Sequence, residues 1–180
     1  MRLFIAINLS SEEKTKINNI KDKLKANSSK GKFVDDEHLH ITIEFLGDIE
    51  KDKVDLIKSL MNEIKTQSFI LNPNKIGYFK RREGNIYWLG MEKNHSLIGI
   101  YDKLHKRLRE EGFKVDNRDF SPHLTLGRRV KLKDGFYTEV LNSEVEKIKI
   151  DVNSVDLVKS KFSNGQLRYT VLHSKILRRP

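Results

Sequence analysis

The chain is written twice. A short apolar run, Leu3 to Ile7, precedes Ser10 and Glu13 at capping-box spacing and then Ile17, Ile20 and Leu24 at helical spacing, after which His38 to Leu46 alternates as a strand does. The order of strand, helix and strand recurs in Ile86 to Leu89, in Leu97, Ile100, Tyr101, Leu104 and Leu108 ahead of Gly112, and in His123 to Leu126. Adding 83 to a residue number carries Leu3 to Ile86, His40 to His123 and Thr42 to Thr125. Elements that keep their spacing over about 45 residues indicate a duplicated supersecondary unit. No Pro-, Gly- or Ser-rich linker separates the units near 3–46 and 86–129. One domain over 1–180, with two lobes packed together, is therefore expected.

Outside the units, Val54, Ile57, Leu60, Met61 and Ile64 mark a further helix, and Phe69 to Leu71, Lys75 to Lys80 and Asn85 to Met91 read as strands. Ile148 to Lys159 and Leu167 to Ile176 flank Ser163-Asn164-Gly165 as the arms of a hairpin. Lys131 to Lys147, rich in lysine and glutamate, has no clear pattern and is a candidate border of the site.

Composition narrows the chemistry. A chain with 37% hydrophobic residues is too apolar to be disordered. The absence of cysteine excludes a disulfide framework, a thiolate metal site and a cysteine nucleophile. A net charge of +10 points to polyanionic partners, although lysine-rich solvation produces the same balance. Met1 to Leu9 lacks a signal-peptide pattern, and nothing approaches the roughly 18 apolar residues of a membrane span, so a cytoplasmic protein without a membrane partner is expected.

Six histidines and six threonines among 180 residues make about 0.2 His-x-Thr tripeptides the chance expectation. Two occur, each with an apolar middle residue and each at the same place in the repeat. Residues i and i+2 of a strand share a face, so His40 pairs with Thr42, and His123 with Thr125. An approximate twofold axis between the units turns both pairs toward one cleft. Two imidazoles there suit in-line phosphoryl displacement, one removing a proton from the attacking oxygen and the other supplying a proton to the leaving oxygen. The threonine hydroxyls can donate to non-bridging phosphate oxygens. Arg128 offers a fork for phosphate, and Phe45 a ring for a base. Both sit at an odd offset from the histidines, so strict alternation turns them away unless the strand bulges, as near Gly47 or Gly127.

His40-Ile41-Thr42-Ile43 with Phe45-Leu46-Gly47, and Ser121-Pro122-His123-Leu124-Thr125-Leu126-Gly127-Arg128, resemble the two signature motifs of the two-histidine phosphoesterases. The resemblance is closest to the RNA 2′,3′-cyclic phosphodiesterases formerly called 2′-5′ RNA ligases. Arg2 to Ile7 and Tyr87 to Gly90 are similar to that family's opening and mid-chain strands. The resemblance implies a bilobal α+β fold, with pseudo-twofold-related antiparallel sheets, helices outside and a central cleft. It implies a monomer without cofactor or metal that opens 2′,3′-cyclic phosphate on RNA ends or nucleotides to the 2′-phosphomonoester, with 2′-5′ ligation in reverse. His40 becomes the proton donor and His123 the proton acceptor; Thr42, Thr125 and Arg128 hold phosphate, and Phe45 the base.

Two other readings stand beside it. His38, His40 and His123 are a possible zinc set. The basic runs Lys80-Arg81-Arg82, Arg128-Arg129 and Arg178-Arg179 also suit a non-catalytic RNA-binding module. His38 is expected to cap the entrance to its strand, and His95, His105 and His173 to be surface or packing residues.

Overall fold

Leu3 to Ile7 is apolar at every position, as a strand covered on both faces must be. In the computed structural model, which describes residues 1–179, it forms the centre of β1 (Arg2–Asn8), and Leu3 to Ile7 are all buried. The capping box that opens α1 (Ser11–Ala26) closes in both directions. Glu13 N–H donates to Ser10 Oγ at 3.3 Å, and Ser10 N–H donates to Glu13 Oε2 at 2.7 Å. An edge strand, β2 (Ser28–Phe33), leads into β3 (His40–Asp48). The first half ends with α2 (Val54–Asn62), β4 (Phe69–Leu71) and β5 (Pro73–Phe79). The second half follows the same order, β2 excepted: β6 (Asn85–Met91), α3 (His95–Glu110), β7 (His123–Leu132), α4 (Asn142–Val145), β8 (Ile150–Val152) and β9 (Ser154–Ser163). A last strand, β10 (Gln166–Ile176), stands outside the repeat.

The 83-residue offset carries β1 onto β6, and it carries β5 to positions within β9. The correspondence thus continues well past Leu46 and Arg129. Two four-stranded antiparallel sheets result, with strand orders β10-β9-β1-β3 and β2-β7-β6-β5. The closing strands are exchanged. β5, which ends the first half, pairs with β6; β9, which ends the second, returns to pair with β1. Between the sheets β4 and β8 pair antiparallel, Ile70 opposite Asp151, as equivalent strands do across a twofold axis. A single core joins both halves and takes in Ile17, Ile20 and Leu24 of α1 with Leu97, Ile100, Leu104 and Leu108 of α3.

Three segments differ from expectation. Lys131 to Lys147 is not among the residues lining the cleft: it holds the end of β7, a 3-10 turn at Thr138–Leu141 and α4, and packs against β5. Ile148 to Lys159 is divided between β8 and β9 at Asn153, whose carbonyl accepts the Leu177 N–H at 2.9 Å. Ser28 to Phe33, to which the residue pattern assigns no element, is a strand held along one edge of β7. Among the described residues, no helix is long and apolar enough to cross a membrane.

Candidate active site

A bulge in each of two equivalent strands assembles the site. On β1, Ile5 and Ala6 are consecutive, yet their partners on β3 are Glu44 and Thr42, so Ile43 is an extra residue. On β6, Tyr87 and Trp88 are consecutive and face Gly127 and Thr125, so Leu126 is extra. Ile43 and Leu126 are 83 positions apart, the same place in the repeat. Each bulge reverses the alternation beyond it. Phe45 and Arg128 consequently join His40, Thr42, His123 and Thr125 along one cleft of about 1510 Å³. The bulges that turn Phe45 and Arg128 fall at Ile43 and Leu126, and a second register shift follows in each strand, beside Gly47 and just after Gly127.

The two imidazoles are held alike. His40 Nδ1 lies 2.7 Å from the carbonyl of His38, and His123 Nδ1 lies 2.7 Å from the carbonyl of Ser121. A carbonyl only accepts, so each Nδ1 carries the proton and each neutral ring keeps its Nε2 lone pair. In His40 that nitrogen is 3.1 Å from Thr42 Oγ1, which donates to it. Aromatic edges set the ring planes: Tyr169 meets His40 at 5.5 Å and 81°, and Phe79 meets His123 at 5.4 Å and 83°. The sites differ in electrostatics. Burial pushes the His40 imidazolium below its ordinary pKa against the opposing pull of the His38 carbonyl, and positive charge at His38, Arg128 and Lys14 pushes the same way.

Sequence reasoning does not reach several cleft residues. Arg2 lays its guanidinium over the Phe45 ring at 5.1 Å, and Lys32, Arg168 and Tyr169 add to the wall. Lys32 and Tyr169 come from β2 and β10, which have no counterpart in the repeat, so no repeated position marks them. His38 does more than cap the strand: its carbonyl fixes the His40 tautomer, while its ring packs on Tyr169 at 4.6 Å between Asp35 and Glu37. Among the described residues, His38, His40 and His123 do not gather as a metal-binding cluster of three. Of the two expected roles, His105 takes packing, against Tyr101. Its Nδ1 lies 2.8 Å from the buried Glu44 carboxylate, which the Ile43 bulge turns inward, and burial pushes Glu44 above the ordinary carboxylate pKa despite that partner.

The family model for LigT-like phosphoesterases matches residues 7–88 and, a second time, residues 89–169. The chain belongs to the LigT-like phosphoesterase family. This LigT-like phosphoesterase is 28% identical over 176 residues to a Thermotoga maritima protein named RNA 2′,3′-cyclic phosphodiesterase, spanning 96% of this chain and 94% of that one. A protein of the same name from Methanocaldococcus jannaschii is 33% identical over 151 residues, 83% of this chain and 82% of its own. The crystal structure of Escherichia coli LigT complexed with 3′-AMP superposes with a TM-score of 0.83 at 29% identity, covering 98% of this chain and 97% of that one.

Proposed function

We propose that this LigT-like phosphoesterase hydrolyses 2′,3′-cyclic phosphate on RNA ends or nucleotides to the 2′-phosphomonoester. The observation that carries the reading is the matched pair of imidazoles, each with Nδ1–H tied to a carbonyl two residues upstream, on equivalent bulged strands of one basic cleft. His123 Nε2 takes a proton from water, whose oxygen bonds to phosphorus. The bond from phosphorus to the 3′ oxygen breaks, and protonated His40 gives its proton to that oxygen. With a 5′-hydroxyl in place of water, the same transfers form a 2′-5′ linkage. Thr42 and Thr125 donate to the non-bridging oxygens, Arg128 pairs with their charge, and Phe45, backed by Arg2, receives the terminal base.

The depressed His40 pKa fits the proton-donor role only once substrate is present. An anion beside Arg128 cancels the positive potential and favours the imidazolium, so His40 loads its proton in the complex. Neither transfer requires a metal. Turnover of a cyclic-phosphate oligonucleotide is expected to persist in EDTA, and His40→Ala or His123→Ala to reduce it by roughly 10²- to 10⁴-fold with folding intact. Activity abolished by chelation favours the zinc reading, and binding without turnover favours the RNA-binding module.

A further inference from the structure

One exposed aromatic ring in the cleft has no part in the chemistry above. Phe79 and Phe162 both lie near the ends of the exchanged strands β5 and β9, but register sets them apart: Phe79 faces Ile86 on β6, whereas β9 places Val158 opposite Phe4 of β1 and runs four residues further to Phe162. Phe79 is packed: it meets His123 edge-on and lies 5.4 Å from the Trp88 ring. Phe162 is 70% exposed, and among the described residues no second ring packs on it. The ring that meets His40 edge-on is Tyr169 from β10, the strand with no counterpart. Phe162 stands past Ser160, the last residue of β9 paired with β1, so among the described residues only β10 borders it in the sheet.

Register shows where the Phe162 ring points. On β9 and β10, Ser160 faces Tyr169 and Phe162 faces Leu167, so these four side chains share the face that carries Tyr169 to His40. Along that face the rows run from Phe45 and Phe4, through Arg2, Ser160 and Tyr169, to Phe162 and Leu167 at the hairpin tip. The tip is the two-residue turn Asn164-Gly165, with φ of 52° and 75°, a left-handed pair that keeps the arms in register. The cleft of about 1510 Å³ exceeds the roughly 300–1,000 Å³ that encloses one small ligand. Its lining takes in the exposed ring and, beside Arg128, Lys32.

We infer that the β9-β10 arm is a second nucleotide subsite, in which Phe162, with Leu167 beside it, stacks a base upstream of the cyclic-phosphate end while Lys32, across the cleft beside Arg128, neutralises the backbone. The inference rests on the phosphodiesterase reading and narrows its substrate class to RNA strands over free cyclic mononucleotides. Cations and an exposed aromatic ring lining one cleft are the pair of features by which single strands are held without sequence selection.

The test compares kcat/KM on a 2′,3′-cyclic mononucleotide with that on cyclic-phosphate-ended di-, tri- and tetranucleotides. Efficiency of the unaltered chain is expected to rise with length. In Phe162→Ala the ratio of tetranucleotide to mononucleotide efficiency should fall by roughly 5- to 150-fold, the value of one stacked base, and in Phe162→Tyr it should be kept. An unchanged ratio in Phe162→Ala overturns the subsite, as does an equal loss on every length. Turnover of no substrate by the unaltered chain contradicts the phosphodiesterase reading instead. The subsite is then read from fluorescence anisotropy with a 2′-phosphate-ended tetranucleotide. Weaker binding by Phe162→Ala than by the unaltered chain upholds it, and equal binding overturns it.

Discussion

A backbone carbonyl two residues upstream decides what each imidazole offers the cleft. By holding Nδ1–H, the carbonyls of His38 and Ser121 leave Nε2 as the nitrogen free to exchange a proton on both rings, and position in the repeat gives no ground for calling one acid and the other base in the proposed reaction. The leaving group separates the roles. A cyclic substrate with sulfur at the 3′ bridging position departs as a thiolate that needs no proton, so it should restore much of the turnover lost in His40→Ala and little of that lost in His123→Ala. The reverse pattern of rescue exchanges the two roles. His40 also has a stability signature. The fold holds its pKa below the ordinary histidine value of 6.5, so on acidification the unfolded chain takes up the proton first. This group's contribution is complete above about pH 6.5 and falls as the pH drops beneath that. Thermal melts from pH 7.5 to 5 should show a shallower acid loss in His40→Gln than in the unaltered chain; parallel curves contradict the assigned shift.

The bulged strand is the element on which the site depends. The same extra residue that turns Phe45 to the cleft turns Glu44 to the interior, where His105 of α3 meets it. Removing that partner strands a buried imidazole. Glu44→Ala is expected to lower stability by about 1.5–3 kcal/mol, read from denaturant midpoints, and a neutral result shows that the pair does not anchor β3. Elements with apolar periodicity are legible in the order of residues alone: β1, α1, β3, β6, α3, β7 and the terminal hairpin. Ser28-Ser29-Lys30-Gly31-Lys32 carries no apolar residue and pairs along one edge only, so nothing in residue type marks β2. Bulges are equally silent. Ile43 and Leu126 are ordinary strand residues, and counting by twos across them places Phe45 and Arg128 on the wrong face. The histidines and threonines lie before the bulges, so their shared face follows from spacing alone.

For the whole molecule, the exchange of β5 and β9 means that neither half of the sequence contains a complete sheet. Residues 1–84 lack the strand β9 that covers β1, and residues 85–180 lack the strand β5 that covers β6. Each fragment alone is expected to show no cooperative unfolding transition by circular dichroism, and mixing the two to restore one; an isolated half that melts cooperatively contradicts an interdependent pair of lobes. The exchange ties the lobes across the cleft, and the spacing of the two imidazoles follows from it. That spacing is measured most directly in a crystal structure of the chain with a 2′-phosphomononucleotide product. Nε2 of His40 and Nε2 of His123 should each lie within about 2.6–3.2 Å of an oxygen bonded to the same phosphorus atom. A phosphate held by one ring alone, or bound elsewhere in the cleft, contradicts paired acid and base catalysis at this site.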